Sequence, residues 1–293
     1  MQVALIVNRK KNKSAEAVNT VCNWLKEHHV DYIFDQDSAK ILGGSNTGKT
    51  YEELIEYADL IIVFGGDGTF LKTARDFANE DIPILGVNLG SLGFLTDIML
   101  NELESSLKKL INKDYKIEER MILKGEVIRK GEVVKDTIAI NDLVINKGSF
   151  SRIINLETYI NDEYLGTYPG DGLIIACPTG STAYSLSAGG PIVNPELDSL
   201  IITPICPHTL HSRSIVAKDD QEIKVKVSAD HEDIMLTVDG QEFFSLSDND
   251  MVRINKSDLV VKLIKLDGYN FYQILRSRLN NDQFQRRCHK NEE

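Results

Sequence analysis

The sequence predicts an α/β domain followed by a second, β-rich domain. Residues 60–64 are five apolar residues that run into Gly65-Gly66-Asp67-Gly68-Thr69 and then into an amphipathic stretch, 70–79. That order reads as a buried parallel strand, a tight loop and a helix. Upstream, an apolar run at 3–7 precedes a helical pattern at 14–29 that sets Ala15, Val18, Val21, Cys22 and Leu25 on one face. Strand, helix, strand opens a doubly wound α/β sheet. From about residue 115 the apolar period changes from helical to two, which marks strands.

The remaining elements follow in order. Residues 31–34 predict a second strand, and 35–50 a polar stretch. Within it, residues 43–50 (GGSNTGKT) satisfy the P-loop pattern, but that motif needs a buried strand directly before it. Residues 37–40 are polar, so a surface loop is expected instead. Residues 82–87 predict another strand, 88–95 a glycine-rich apolar turn, and 101–111 a helix with Leu103, Leu107 and Leu110 inward. Asn88 is placed either toward Asp67 or on its own turn backbone. Lys130-Gly131 joins 122–129 to 132–135 as a hairpin, and a second hairpin pairs 156–160 with 164–168. Strands are predicted at 222–228, 234–238, 251–255 and 259–264, with a hairpin turn at 238–241. The expected domains are residues 1–114, 115–266, and a segment 267–293 that returns to the first domain and frays from about Asn280.

Charge and cysteine usage exclude several classes of function. A net charge of −11 argues against nucleic acid or an anionic membrane as the main partner. The four cysteines are scattered without a Cys-x-x-Cys pair, as expected of reduced thiols in a cytoplasmic protein. The N-terminal apolar run is too short for a signal peptide, and no run reaches membrane-spanning length.

The chemistry-bearing residues form two clusters. Gly65, Gly66 and Gly68 lack a β-carbon, so their backbone can take positive φ and approach a ligand, while helix-opening N–H groups favour an anion. Asp67 would repel phosphates there unless it accepts a hydroxyl proton or holds a bridging metal. Either role suggests phosphoryl transfer; the plainer reading is a turn acid at a helix N-terminus. Lys72 and Arg75, one helical turn apart, are candidates for ATP phosphates or for a solvent-facing pair. The second cluster is Gly170-Asp171-Gly172, a strand at 173–177, then a hydroxyl-rich loop and helix. Its hydroxyls at Thr179, Ser181, Thr182, Tyr184 and Ser185 exceed what helix capping needs. They suit recognition of ribose and amide groups. Cys206, His208 and His211 invite a zinc reading, but no fourth ligand is evident.

Taken together these stretches resemble the NAD kinase family, which phosphorylates the adenosine ribose 2′-hydroxyl of NAD to make NADP. The resemblance rests on residues 65–69, on Asn88-Leu89-Gly90 with Leu92-Gly93-Phe94-Leu95, on Asn141-Asp142, and on Asp171-Gly172 with residues 178–184. It implies a Rossmann-like α/β nucleotide-binding domain plus a β-sandwich-like NAD-binding domain. Asp67 is then the proton-accepting or positioning acid, with Gly68 beside it. Asn141 and Asp142 would contact NAD, although the family often has Asn-Glu at this pair. Arg152, Asp171, Thr182, Ala183, Tyr184, Ser185, Leu186, Ser187 and Gln241 would line the NAD pocket. The resemblance also implies ATP as donor with a divalent metal, Mg²⁺, and a homo-oligomer, dimer or tetramer.

Overall fold

The N-terminal apolar run forms β1 (Gln2–Val7), and the helical pattern after it forms α1 (Ser14–Glu27), whose Val18, Val21 and Leu25 are fully buried. The computed structural model describes residues 1–8, 14–42, 48–90, 93–96, 98–149, 152–266 and 270–288. Residues 43–47 of the P-loop-like stretch, Leu92, and the tail from residue 289 lie outside the described residues.

β2 (Asp31–Phe34) is followed by α2 (Gln36–Leu42), a helix where the sequence suggests only a polar stretch. Two polar contacts favour it: Asp35 Oδ1 accepts the Ser38 N–H at 3.1 Å, and the buried Ser38 hydroxyl accepts the Val7 N–H at 2.8 Å. α3 (Tyr51–Tyr57) opens with a capping box between Thr50 and Glu53. β3 (Leu60–Gly65) is buried at every position and leads into α4 (Asp67–Asp76), which buries Phe70, Leu71 and Ala74. β4 (Ile84–Asn88) and the short β5 (Ile98–Met99) precede α5 (Leu103–Ile111). The strands order as β2-β1-β3-β4, all parallel, with β5 also parallel to β4. Leu5, Ile62, Phe64 and Val87 share one core with α1 and with Leu103, Leu107 and Leu110 of α5. A parallel sheet is stable when helices cover it, which is why β3 reads as an unbroken apolar run.

Past these elements the period-two pattern yields antiparallel strands. They are β6 (Lys116–Arg129), β7 (Glu132–Ala139), β8 (Asp142–Lys147), β9 (Ile154–Ile160), β10 (Glu163–Gly170) and β11 (Gly172–Ala176). The four-residue α6 (Tyr184–Ser187) follows, then β12 (Ser199–Ile205), β13 (Ile215–Lys218), β14 (Ile223–Ser228), β15 (Ile234–Val238) and β16 (Glu242–Leu246). β17 (Met251–Lys265) is one strand where the sequence suggests two, and α7 (Phe271–Cys288) is helical past Asn280, where the polar composition predicts fraying. A six-stranded antiparallel sheet runs β13-β12-β11-β8-β15-β16. Its Leu143, Ile145, Leu173, Ile175 and Leu236 share a core with Leu156 of β9, Val225 of β14, and Val252 and Ile254 of β17. Two sheets closed on one apolar core make a sandwich.

The chain divides into two units, residues 1–119 with 262–293, and residues 120–261. Within the first unit, the end of β17 adds a parallel partner to β4 through Leu263 and Ile84.

Candidate functional site

In the first unit the site is built where β3 stops. The strand ends at Gly65, Gly66 caps the helix with φ −128° and ψ −174°, and Asp67 is the first residue of α4. None of Gly65, Gly66 and Gly68 has positive φ, so the left-handed turn expected of these glycines is not what they supply. Thr69 is tied to the end of β1, its hydroxyl accepting from Asn8 Nδ2 at 2.6 Å.

The Asp67 carboxylate is held by the loop after β4. Its Oδ2 accepts the Phe94 N–H at 3.0 Å. Its Oδ1 accepts the N–H groups of Leu95 and Thr96, each at 3.2 Å, and the Thr96 hydroxyl at 2.9 Å. Successive backbone N–H groups facing one point form an anion-binding nest, and here the anion is a side chain. The loop approaches so closely that a β-carbon on Gly93 would sit 2.0 Å from Asp67 Oδ1. Asn88 satisfies its own turn, Oδ1 accepting the Gly90 N–H at 2.8 Å, and its Nδ2 donates to the Thr96 hydroxyl at 2.8 Å. Nothing in the sequence singles out Thr96, because a threonine after a glycine-rich turn carries no distinguishing signal.

Lys72 lies on the exposed side of α4 in an ion pair with Asp76 at 2.6 Å. At the P-loop-like stretch, Lys49 pairs with Glu53 at 2.8 Å, and the Thr50 hydroxyl accepts the Glu53 N–H to cap α3. Both P-loop signature side chains are thus committed to local helix chemistry.

In the second unit a cavity of about 310 Å³ is lined by Asn141, Asp142, Ala183 and Tyr184, together with Val144, Asn146, Thr237, Asp239 and Gly240. Such a volume is within the range of small-molecule sites. The Asn141–Asp142 turn is held from beneath by Asp239, whose carboxylate accepts the N–H groups of Ile140 at 3.1 Å, Asn141 at 2.7 Å and Asp142 at 3.2 Å. The Cys177 thiol also fastens this turn, donating to the Ile140 carbonyl at 2.8 Å. Asp142 is buried, and burial, aided by the Asp239 charge, pushes its carboxyl up to about 7. Burial likewise raises the Tyr184 phenol, with smaller contributions from Cys206, Asp171 and Asp142.

The other expected residues stand outside that lining. Asp171 faces Lys147 at 3.5 Å, and the exposed Arg152 pairs with Asp230 at 3.1 Å. The Thr182 hydroxyl donates to the Thr179 carbonyl, while the buried Ser185 bonds Thr203. Leu186 and Ser187 lie on α6, and Gln241 closes the β15–β16 turn by donating its N–H to the Val238 carbonyl. Asp239 has a left-handed φ of 49° in that turn, and the sequence marks it only as a turn residue. Among the described residues, no group of three or more His, Cys, Asp and Glu side chains could hold a metal ion.

Comparison with known proteins sets these two clusters in context. Residues 3–115 match the ATP-NAD kinase N-terminal domain, and residues 140–266 the ATP-NAD kinase C-terminal domain. An NAD kinase of Natranaerobius thermophilus is 44% identical over 281 residues, covering 96% of this chain and 98% of the relative. An NAD kinase of Moorella thermoacetica is 46% identical over 278 residues, covering 95% and 89%. The structure of yeast NADH kinase complexed with NADH matches with a TM-score of 0.87 at 25% identity, covering 96% of this chain and 87% of that one. The structure of an NAD kinase from Archaeoglobus fulgidus in complex with ATP matches with a TM-score of 0.76 at 25% identity, covering 94% and 99%.

Proposed function

The chain belongs to the ATP-NAD kinase family, and from that premise we propose that it transfers the γ-phosphoryl group of ATP to the 2′-hydroxyl of the adenosine ribose of NAD. The products are NADP and ADP. The observation that carries the assignment of the acting acid is Asp67 at the start of α4, with its carboxylate aimed by three backbone N–H groups and one hydroxyl.

Phosphoryl transfer passes through a loose transition state, so positioning and charge neutralisation outweigh strong base catalysis. Asp67 accepts a hydrogen bond from the 2′-hydroxyl, aligns its oxygen on the phosphorus and takes the proton as the new P–O bond forms. A Mg²⁺ ion carried on ATP would neutralise the charge of its phosphates. Asp67 would supply the carboxylate for such an ion, since Mg²⁺ commonly uses one or two carboxylates plus substrate phosphates.

Asn141, Asp142, Ala183 and Tyr184 hold part of NAD in the second-unit cavity, an assignment supported by their shared lining of it. Gly68, Arg152, Asp171, Thr182, Ser185, Leu186, Ser187 and Gln241 are carried as NAD or ATP contacts by the family resemblance, and Lys72 as an ATP contact by its place one turn into α4. For Arg152 and Lys72 this requires exchanging Asp230 and Asp76 for the ligand. We further propose a cytoplasmic homo-oligomer, which light scattering would size as dimer or tetramer. No helix among the described residues is long and apolar enough to cross a membrane. Incubation with NAD, ATP and Mg²⁺ tests the reaction: NADP must accumulate in step with ADP, and ADP without NADP would refute it.

A further inference from the structure

A carboxylate at the head of a helix has two side-chain torsions, and an acid meant to align one hydroxyl must lose both. In this protein the restraint comes from a residue nothing else assigns. Thr96 is fully buried, and its hydroxyl stands between Asn88 Nδ2 at 2.8 Å and Asp67 Oδ1 at 2.9 Å. The direction of that chain is fixed. The Gly90 N–H can only donate, so the atom of Asn88 it meets at 2.8 Å is the carbonyl oxygen, and the other end of the amide is the donor. The Thr96 oxygen therefore accepts from Asn88 and spends its only proton on Asp67. Donors in series polarise one another and stiffen the last bond.

The two oxygens of Asp67 are consequently unequal. Among the described residues, Oδ1 accepts three donors, the N–H groups of Leu95 and Thr96 and the Thr96 hydroxyl, whereas Oδ2 accepts one, the Phe94 N–H. An ionised carboxylate offers about four lone-pair sites over its two oxygens. Oδ1 is saturated and serves as the anchor, and Oδ2 keeps acceptor capacity for a ligand.

We propose that Thr96 is a positioning residue for phosphoryl transfer: the Asn88–Thr96 relay pins Asp67 Oδ1 so that Oδ2 is the oxygen presented to the 2′-hydroxyl. This role rests on Asp67 being the acting acid. A purely structural staple between the 93–96 loop and the end of β4 would instead affect folding and leave turnover per folded molecule unchanged.

Thr96→Val and Thr96→Ser separate the two. Valine keeps the shape and removes the hydroxyl, and Asn88 Nδ2 retains the Thr96 carbonyl at 3.4 Å, so the fold is expected to survive. Thr96→Val should lower kcat for NADP formation roughly tenfold to a hundredfold, the scale of a small misplacement of a catalytic group, with KM for NAD and ATP unchanged. Thr96→Ser should restore kcat. Should Thr96→Val fail to fold, Asn88→Asp replaces the donor by an acceptor, draws the Thr96 proton away from Asp67, and should give the same loss of kcat. Wild-type kcat in folded Thr96→Val, or Thr96→Ser as slow as Thr96→Val, overturns the relay alone. A wild-type chain that makes no NADP overturns the assigned reaction, and the relay's role falls with it.

Discussion

Asp239 Oδ1 accepts the Asn141 N–H at 2.7 Å, the shortest of the bonds by which one carboxylate gathers the backbone of Ile140, Asn141 and Asp142. The turn that presents Asn141 and Asp142 to the cavity is therefore shaped by a residue nearly a hundred positions downstream. Asp239→Ala leaves three N–H groups without this acceptor and should cost about 2–4 kcal/mol of stability, since buried donors left unsatisfied cost about 1–3 kcal/mol each and the turn can relax in part. Denaturant unfolding measures the loss, and NAD affinity should fall with it. An unchanged midpoint would show that the turn holds itself.

Asp142 makes stability depend on pH in a defined direction. Its carboxyl is pushed up to about 7, first by burial and then by the Asp239 charge, from an ordinary value of 3.8. Below about pH 4 the folded and unfolded chains both keep this proton, and the group contributes no difference. As the pH rises toward 7 the unfolded chain releases the proton while the folded chain holds it, so the native state loses stability; above pH 7 the cost is complete. Asp142→Asn cannot ionise. It should match the wild type near pH 4 and exceed it above pH 7 by about 2–4 kcal/mol, since each tenfold change in proton affinity is worth about 1.4 kcal/mol. Thermal melts of both proteins across this range check the sign.

Gly93 tests the nest from the other side. A β-carbon there would meet Asp67 Oδ1 at 2.0 Å and Thr96 Oγ1 at 2.5 Å. Both atoms belong to hydrogen-bonded side chains that would have to shift, so Gly93→Ala should fold with reduced stability. Displacing the carboxylate should then cut kcat by about a hundredfold. Far-ultraviolet circular dichroism and steady-state kinetics together decide it, and retained turnover would mean that Asp67 needs no nest.

The P-loop-like stretch gives a negative control. Lys49 is paired with Glu53, so Lys49→Met should leave the ATP KM unchanged. Thr50→Ala should cost about 1 kcal/mol through loss of the α3 cap without altering turnover. A raised ATP KM in Lys49→Met would reinstate that lysine as a phosphate ligand.

What can be read in advance follows from how local each signal is. β3 and the loop into α4 are legible because an unbroken apolar run followed by glycines is a one-dimensional pattern. α2 is not, since its stability comes from the Ser38 contact with Val7 across the sheet. β17 reads as two strands because Lys256, Ser257 and Asp258 resemble a turn, yet Lys256 is held in the strand by Asp219 and Asp198. In the two clusters, Asp67 of the first unit and Asn141 and Asp142 of the second stand out through their neighbours in sequence. Asp239 and Thr96 act on residues far away along the chain, and spacing alone carries no trace of such partnerships.

In the reaction proposed here, Asp67 acts on the reacting hydroxyl and not on the affinity for NAD. The most direct test compares wild-type and Asp67→Asn protein in NADP formation with ATP and Mg²⁺, and measures NAD binding to each by calorimetry. NADP formation should fall to background in Asp67→Asn with the NAD dissociation constant preserved. NADP formed by Asp67→Asn at the wild-type rate would contradict it.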